Sequence, residues 1–202
     1  MSEETLKKGE RTRQAILDAA YRLIIKQGYA ATSMRQIADF TGLALGSIYN
    51  HFDSKEDVFR SIIQERHPFF QILPVLNLVQ GRTVEEYVRN AAQTLIQQLG
   101  HHPDFLNLML TQIVEFKGGH VPLLVDKFMP MILPLSKHIA SLDGYTREIP
   151  PFILARAFLG MFFSYYITEI LMSPVVPPDW QTNALDHFVE IFLHGILTRE
   201  TE

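Results

Sequence analysis

The chain has 202 residues, 47% of them hydrophobic and 20% charged, with a formal net charge of −4 and no cysteine. This size and balance point to a packed core and exclude wholesale disorder, disulfides and thiolate chemistry. The charge is uneven: residues 1–66 hold ten Lys/Arg and nine Asp/Glu, giving +1, while residues 67–202 hold eight and thirteen, giving −5, so a local basic face is still possible at the N-terminal end.

The opening MSEETLKKGERTRQ is polar and lacks the apolar core of a signal peptide. From about Lys8 to Gln27, Ile16, Ala19, Ala20, Leu23 and Ile24 follow the spacing of one buried helix face, and Gly28 sits where that helix would end. Lys7, Lys8, Arg11 and Arg13 read equally well as a basic arm or as a solvated face. In TSMRQIADF, Ser33 with Gln36 three residues later is a capping-box pattern, so a short helix is expected from Met34 to Thr41.

TGLALGSIYNHF follows, glycine-punctuated and almost free of charge. Two helices crossing steeply need a small residue, supplied by Ala38, and a sharp exit favours positive φ, which Gly42 tolerates. Ile48 then faces inward, and Ile37 and Leu43 complete a small core. This is the spacing of a helix-turn-helix. Its second helix, about Leu45 to Asn50, would lie in a DNA major groove. Ser47, Tyr49, Asn50 and His51 could reach base edges or phosphates, and Leu45 a thymine methyl. On spacing alone, two small helices packed in a bundle remain the alternative. Ser54 then caps a longer helix with Glu56 and Asp57 in its first turn.

The run from Tyr29 to Phe59, YAATSMRQIADFTGLALGSIYNHFDSKEDVF, resembles the N-terminal domain of TetR-family transcriptional regulators. Thr32-Ser33, Ile37-Ala38, Gly42, Tyr49 to Phe52 and Ser54-Lys55-Glu56 carry the resemblance. It implies an all-α fold, with a three-helix helix-turn-helix DNA-binding domain over 1–53 and a helical-bundle domain for ligand binding and dimerisation over 54–202. It further implies a homodimer on a double-stranded palindromic operator, a hydrophobic small-molecule effector and repression; the polar opening and the lack of a membrane span lead to the expectation of a cytoplasmic location, and no cofactor is expected. Tyr49 and Lys55 would contact phosphates, and Ser33 and Arg35 the DNA backbone or a flanking base. One departure stands out. Ala44-Leu45 occupies the place where many relatives carry Ser or Thr and Lys, which leaves Asn50 as the one bidentate reader in the helix.

After Pro68, helices are expected over about 83–99, 103–117, 121–142, 150–172 and 180–198, with Pro130 and Pro134 kinking or splitting the third of these. Phe105, Met109, Gln112 and Phe116 share one face; with Phe70, Met129 and Phe162 they are the candidate pocket residues, the alternative being ordinary core. Phe158, Tyr165 and Tyr166, with Leu185, Phe188 and Phe192, form helical stripes suited to a dimer interface or, equally, to intramolecular core. The apolar run Phe158 to Met172 reads as too short for a membrane span.

His187, Glu190 and His194 share a helix face and raise a metal-responsive alternative, though no second cluster supports a metal site. A ligand-binding helical protein without DNA binding is the other alternative. Asp104 is expected to cap a helix. No P-loop, nucleophile elbow or dinucleotide-binding glycine pattern occurs, so no enzyme activity is expected.

Overall fold

The computed structural model describes residues 3–142 and 147–196, and the described residues form an all-α fold. In chain order the helices are α1 (Glu3–Gln27), α2 (Met34–Thr41), α3 (Leu45–Tyr49), α4 (Lys55–Arg66), α5 (Phe69–Leu76), α6 (Val84–Gly100), α7 (Phe105–Val114), α8 (Val121–Ala140), α9 (Pro151–Met172), α10 (Pro178–Gln181) and α11 (Ala184–Ile196). They belong to two compact units. The first gathers the chain up to His67 together with Asp104–Leu124, and the second gathers Pro68–Pro103 with the residues from Val125 onward.

In the first unit, α1 packs on α2 and α4, burying Ile16, Leu17, Ala20 and Ile24 against Ile37, Val58, Phe59 and Ile62. This unit extends beyond residue 53, where the sequence reading ended the first domain. The reason is burial: Phe59 of α4 has no exposed surface and stacks on Phe116 at 4.9 Å between centroids, so α4 and the segment after α7 share its core. Asp104 does not cap α7. It carries no capping bond, and its carboxylate accepts a 3.0 Å bond from the Tyr21 hydroxyl. Burial first, then that bond, raises the Tyr21 pKa to about 12.

In the second unit, α6 packs against α5, α9 and α11. Helix α5 falls outside the expected set, because Pro68 and Pro74 mask its apolar face of Ile72, Leu73 and Leu76. α8 runs unbroken through Pro130 and Pro134. Both prolines are exposed, so the backbone groups they leave unpaired can turn to water. The expected helix over 180–198 divides instead at Asn183, whose φ of 57° ends α10 before α11 starts; Asn is among the few residues that tolerate this conformation.

Phe152–Met172 is long and apolar enough to cross a membrane by length and composition, and so is longer than the run singled out in the sequence. The helix nevertheless carries Arg156 and Glu169, and Phe162 and Tyr166 on it are buried within the unit. The core helix of a globular bundle passes the same test.

Candidate nucleic-acid interface

The local chemistry of α2 and α3 is as the sequence specifies. Ser33 Oγ accepts from the Gln36 N–H at 3.2 Å, and Gln36 Oε1 accepts from the Ser33 N–H at 2.9 Å, a reciprocal cap that fixes the start of α2. Gly42 ends it at φ 69°, and the Leu43 N–H returns to the Ala38 carbonyl at 3.1 Å. Ile37, Ala38 and Ile48 are buried, whereas Leu43 is half-exposed. Ser54 Oγ accepts from the Asp57 N–H at 3.1 Å and starts α4.

With Ile48 pinned inward, the opposite face of α3 turns outward. Tyr49 and Asn50 are exposed, and Leu45, Ser47 and His51 are half-exposed. An open groove of about 510 Å3 lies beside them, bordered by Ser33, Arg35, Leu45, Tyr49 and Lys55. Five of the eight residues expected to meet DNA thus converge on one surface feature, and Ser47, Asn50 and His51 lie next to Tyr49 in the chain. Such a surface can offer a phosphate a cation, hydroxyls and exposed backbone, and offer a base the Asn50 amide.

Lys55 does more than provide charge. Its Nζ donates to the Tyr29 carbonyl at 2.7 Å and to the Ala30 carbonyl at 3.5 Å, and lies 4.1 Å from the Tyr29 ring centroid. Burial lowers its pKa, with the Glu115 carboxylate opposing the shift. An ammonium has three N–H donors, so two tie α4 to the α1–α2 turn and one is left for a phosphate oxygen. Thr32, also on the groove, is buried and donates from its hydroxyl to the Gly28 carbonyl at 2.9 Å. This brace was missed in the sequence because its partners are backbone atoms. Arg13 is likewise a brace: it pairs with Glu65 of α4 and lies 5.4 Å from the Phe52 ring centroid. The hydrogen bond from Arg13 holds the Glu65 carboxyl below its ordinary range.

The candidate pocket residues separate. Phe105 and Gln112 are buried in the first unit, and Phe116 of the same unit is half-exposed. Phe105 meets the His67 ring edge-on at 5.9 Å, and burial pushes the His67 pKa down to about 4. Phe116 packs with Tyr29, Phe59 and His120. Gln112 Oε1 lies 3.1 Å from His120 Nδ1, and His120 Nε2 faces Glu56 at 3.7 Å. Met109 is half-exposed on α7. In the second unit Phe70 packs on Phe128, Met129 is half-exposed, and Phe162 is buried between Phe158 and Phe192. None of these seven lines the apolar cavity that the second unit does contain.

That cavity, of about 40 Å3, lies among α5, α6, α8, α9 and α11. Leu76, Tyr87, Leu135, Ile139, Phe158 and Phe192 are among its wall residues, and no wall residue is charged. Two residues expected at a dimer interface, Phe158 and Phe192, therefore face an internal space. Tyr166 is buried too, its hydroxyl donating to the Leu99 carbonyl at 3.0 Å. Tyr165, Leu185 and Phe188 are half-exposed, with Tyr165 edge-on to Phe188 at 5.1 Å. The outward apolar residues are others: Phe152, Ile153, Ile170, Leu171 and Met172 of α9, and Ile191 of α11. Of the His187, Glu190 and His194 trio, Glu190 pairs with Arg89 of α6, and His194 Nδ1 lies 2.8 Å from the Glu190 carbonyl of its own helix.

Residues 16–62 match the sequence model of the tetR family of bacterial regulatory proteins. An uncharacterised helix-turn-helix transcriptional regulator of Bacillus subtilis strain 168, YvkB, is 21% identical over 187 residues, covering 92% of this chain and 97% of its own. The regulator AcrR of Shigella flexneri is 44% identical over 62 residues, a match confined to 31% of this chain and 29% of AcrR. Among solved structures, a TetR-family transcription regulator from Marinobacter aquaeolei VT8 superposes with a TM-score of 0.62 at 15% identity, over 96% of this chain and 99% of that one. High identity is thus confined to the DNA-facing head, whereas the fold is shared end to end.

Proposed function

We propose that the chain is a helix-turn-helix DNA-binding transcriptional regulator of the TetR family, a ligand-responsive repressor acting in the cytoplasm that binds a palindromic operator as a homodimer and releases it when a hydrophobic small molecule enters the second unit. The observation that carries this is the outward face of α3. Tyr49 and Asn50 project from a helix locked by Ile48, beside a groove that collects Ser33, Arg35 and Lys55.

A five-residue recognition helix reads few base pairs, so two copies are needed for useful specificity. A two-fold contact uses the same patch on both subunits, and the outward apolar residues of α9 and α11 suit one. The cavity supports effector binding. Its wall is apolar and its volume small, so an effector must part the helices around it, and a ligand that binds the parted form better favours that form. With no Arg, Lys or Gln on α3, base readout rests on Asn50, while Arg35 and sequence-dependent DNA shape supply the remainder.

The test is selection of random duplex DNA by the purified full chain, with sequencing of what is retained. Enrichment of an inverted repeat whose half-sites lie about one helical turn apart is expected. Absence of enrichment, repeated at low salt, overturns the DNA reading. Enrichment of a single, unrepeated half-site overturns the dimer.

A further inference from the structure

Among the described residues, two buried side-chain nitrogens have no hydrogen-bond partner, Gln112 Nε2 and His138 Nε2. Gln112 lies in the first unit and lines neither the groove beside α3 nor the apolar cavity. His138 is different. It is on α8, where Leu135 and Ile139 are cavity wall, and its ring packs edge-on against another wall residue, Tyr87, at 5.1 Å between centroids. The Tyr87 hydroxyl is engaged by the Leu76 carbonyl at 3.4 Å. One unmatched imidazole nitrogen thus belongs to a ring packed against a residue of the apolar cavity's wall.

We infer that the effector is a small uncharged compound with an apolar body and a single hydrogen-bonding group, and that His138 receives that group as Tyr87 turns aside. This rests on the reading of the cavity as the effector site. Charge is excluded by the wall, which offers no counter-charge to a carboxylate or an ammonium taken from water. A purely apolar occupant fills the space but leaves Nε2 unpaired, whereas a hydroxyl or carbonyl pairs it. Either tautomer serves: an unprotonated Nε2 accepts from a hydroxyl, and an Nε2–H donates to a carbonyl. The single unmatched nitrogen thus selects between ligands of equal size.

Benzene, phenol and benzoate test this, because they share a ring and differ only in the polar group. Each is titrated into the full chain labelled at Ile, Leu and Val methyls, and the Kd is read by NMR from cavity-wall methyls such as Ile139 and Leu154. Phenol is expected to bind about tenfold more tightly than benzene, the order of one hydrogen bond, and benzoate to bind more weakly than either. His138→Phe should leave the benzene Kd unchanged and raise that of phenol to match it. His138→Gln, which retains a hydrogen-bonding group, should recover part of the preference. Equal Kd values for phenol and benzene, a phenol preference that survives His138→Phe, or tightest binding by benzoate would each overturn the inference while leaving the cavity as a binding site. Unmoved cavity methyls with all three probes would overturn the effector-site reading itself.

Discussion

In the first unit the caps that start α2 and α4 and the brace at Thr32 are made within four residues of chain, while Lys55 and Arg13 reach across it. Ser33 and Gln36 cap each other, Ser54 receives the Asp57 N–H, and Thr32 bonds to Gly28. In the second unit the decisive contacts cross the chain: Tyr166 reaches the carbonyl of Leu99, Asn77 that of Met131, and Arg89 pairs with Glu190. The first unit also fills its centre with packed rings, Phe59 against Phe116 and Tyr29, while the second encloses an unfilled apolar space. A head that must present α3 in one orientation needs a closely specified core. On the proposed function, a body that accommodates an effector needs slack.

This contrast can be tested, beginning with packing. Phe59→Ala should cost about 3–5 kcal/mol, because the ring is fully buried in a stack that cannot collapse around its loss. Leu154→Ala at the cavity wall should cost less, since the residue is half-exposed and already borders a void. Urea unfolding of both variants measures the difference, and equal losses would break the contrast.

Next comes pH. Burial depresses the His67 pKa from 6.5 to about 4 in the folded protein. Between these values the unfolded chain binds a proton that the folded chain refuses, so the contribution is complete above pH 6.5 and is lost as pH falls toward 4. The loss should be about 3 kcal/mol. His67→Phe should flatten that part of the stability profile, and an unchanged profile would show that the buried imidazole does not control it.

Asn50→Ala should relax preference at one base pair by about 1–3 kcal/mol, with little change on random DNA. Equal losses on operator and random sequence would show that Asn50 contacts only the backbone. The smallest effect concerns the local caps. Ser33→Ala should cost about 1 kcal/mol, and Ser33→Gly only a few tenths, in thermal unfolding. Equal costs for the two would show that the capping oxygen contributes nothing.

The same contrast explains which parts of the fold and the site were readable. The head was legible because caps and turns are local. Ser33 with Gln36, Gly42 and Ser54 each announce their role within a few residues, and the inward Ile48 then fixes which side chains of α3 face out. Ser33, Arg35 and Lys55, which border the groove, came instead from the family resemblance. The cavity was not legible. Periodicity placed Phe105, Met109, Gln112 and Phe116 on one face; Phe105 and Gln112 are buried in the first unit, and Met109 and Phe116 are half-exposed there. Phe158 and Phe192 read as interface or as intramolecular core, because an apolar stripe looks the same whether its partner is another subunit or the rest of its own chain.

The sequence by itself determined the all-α fold, the helix-turn-helix and its outward face, because helix periodicity, capping and a left-handed turn depend on residues three or four apart. Tertiary structure alone decided that Lys55 and Arg13 are braces as well as cations, that α7 packs with the head, and that the apolar cavity lies beside His138. Each of these depends on which distant backbone or ring comes within bonding distance, and only the packed chain settles that.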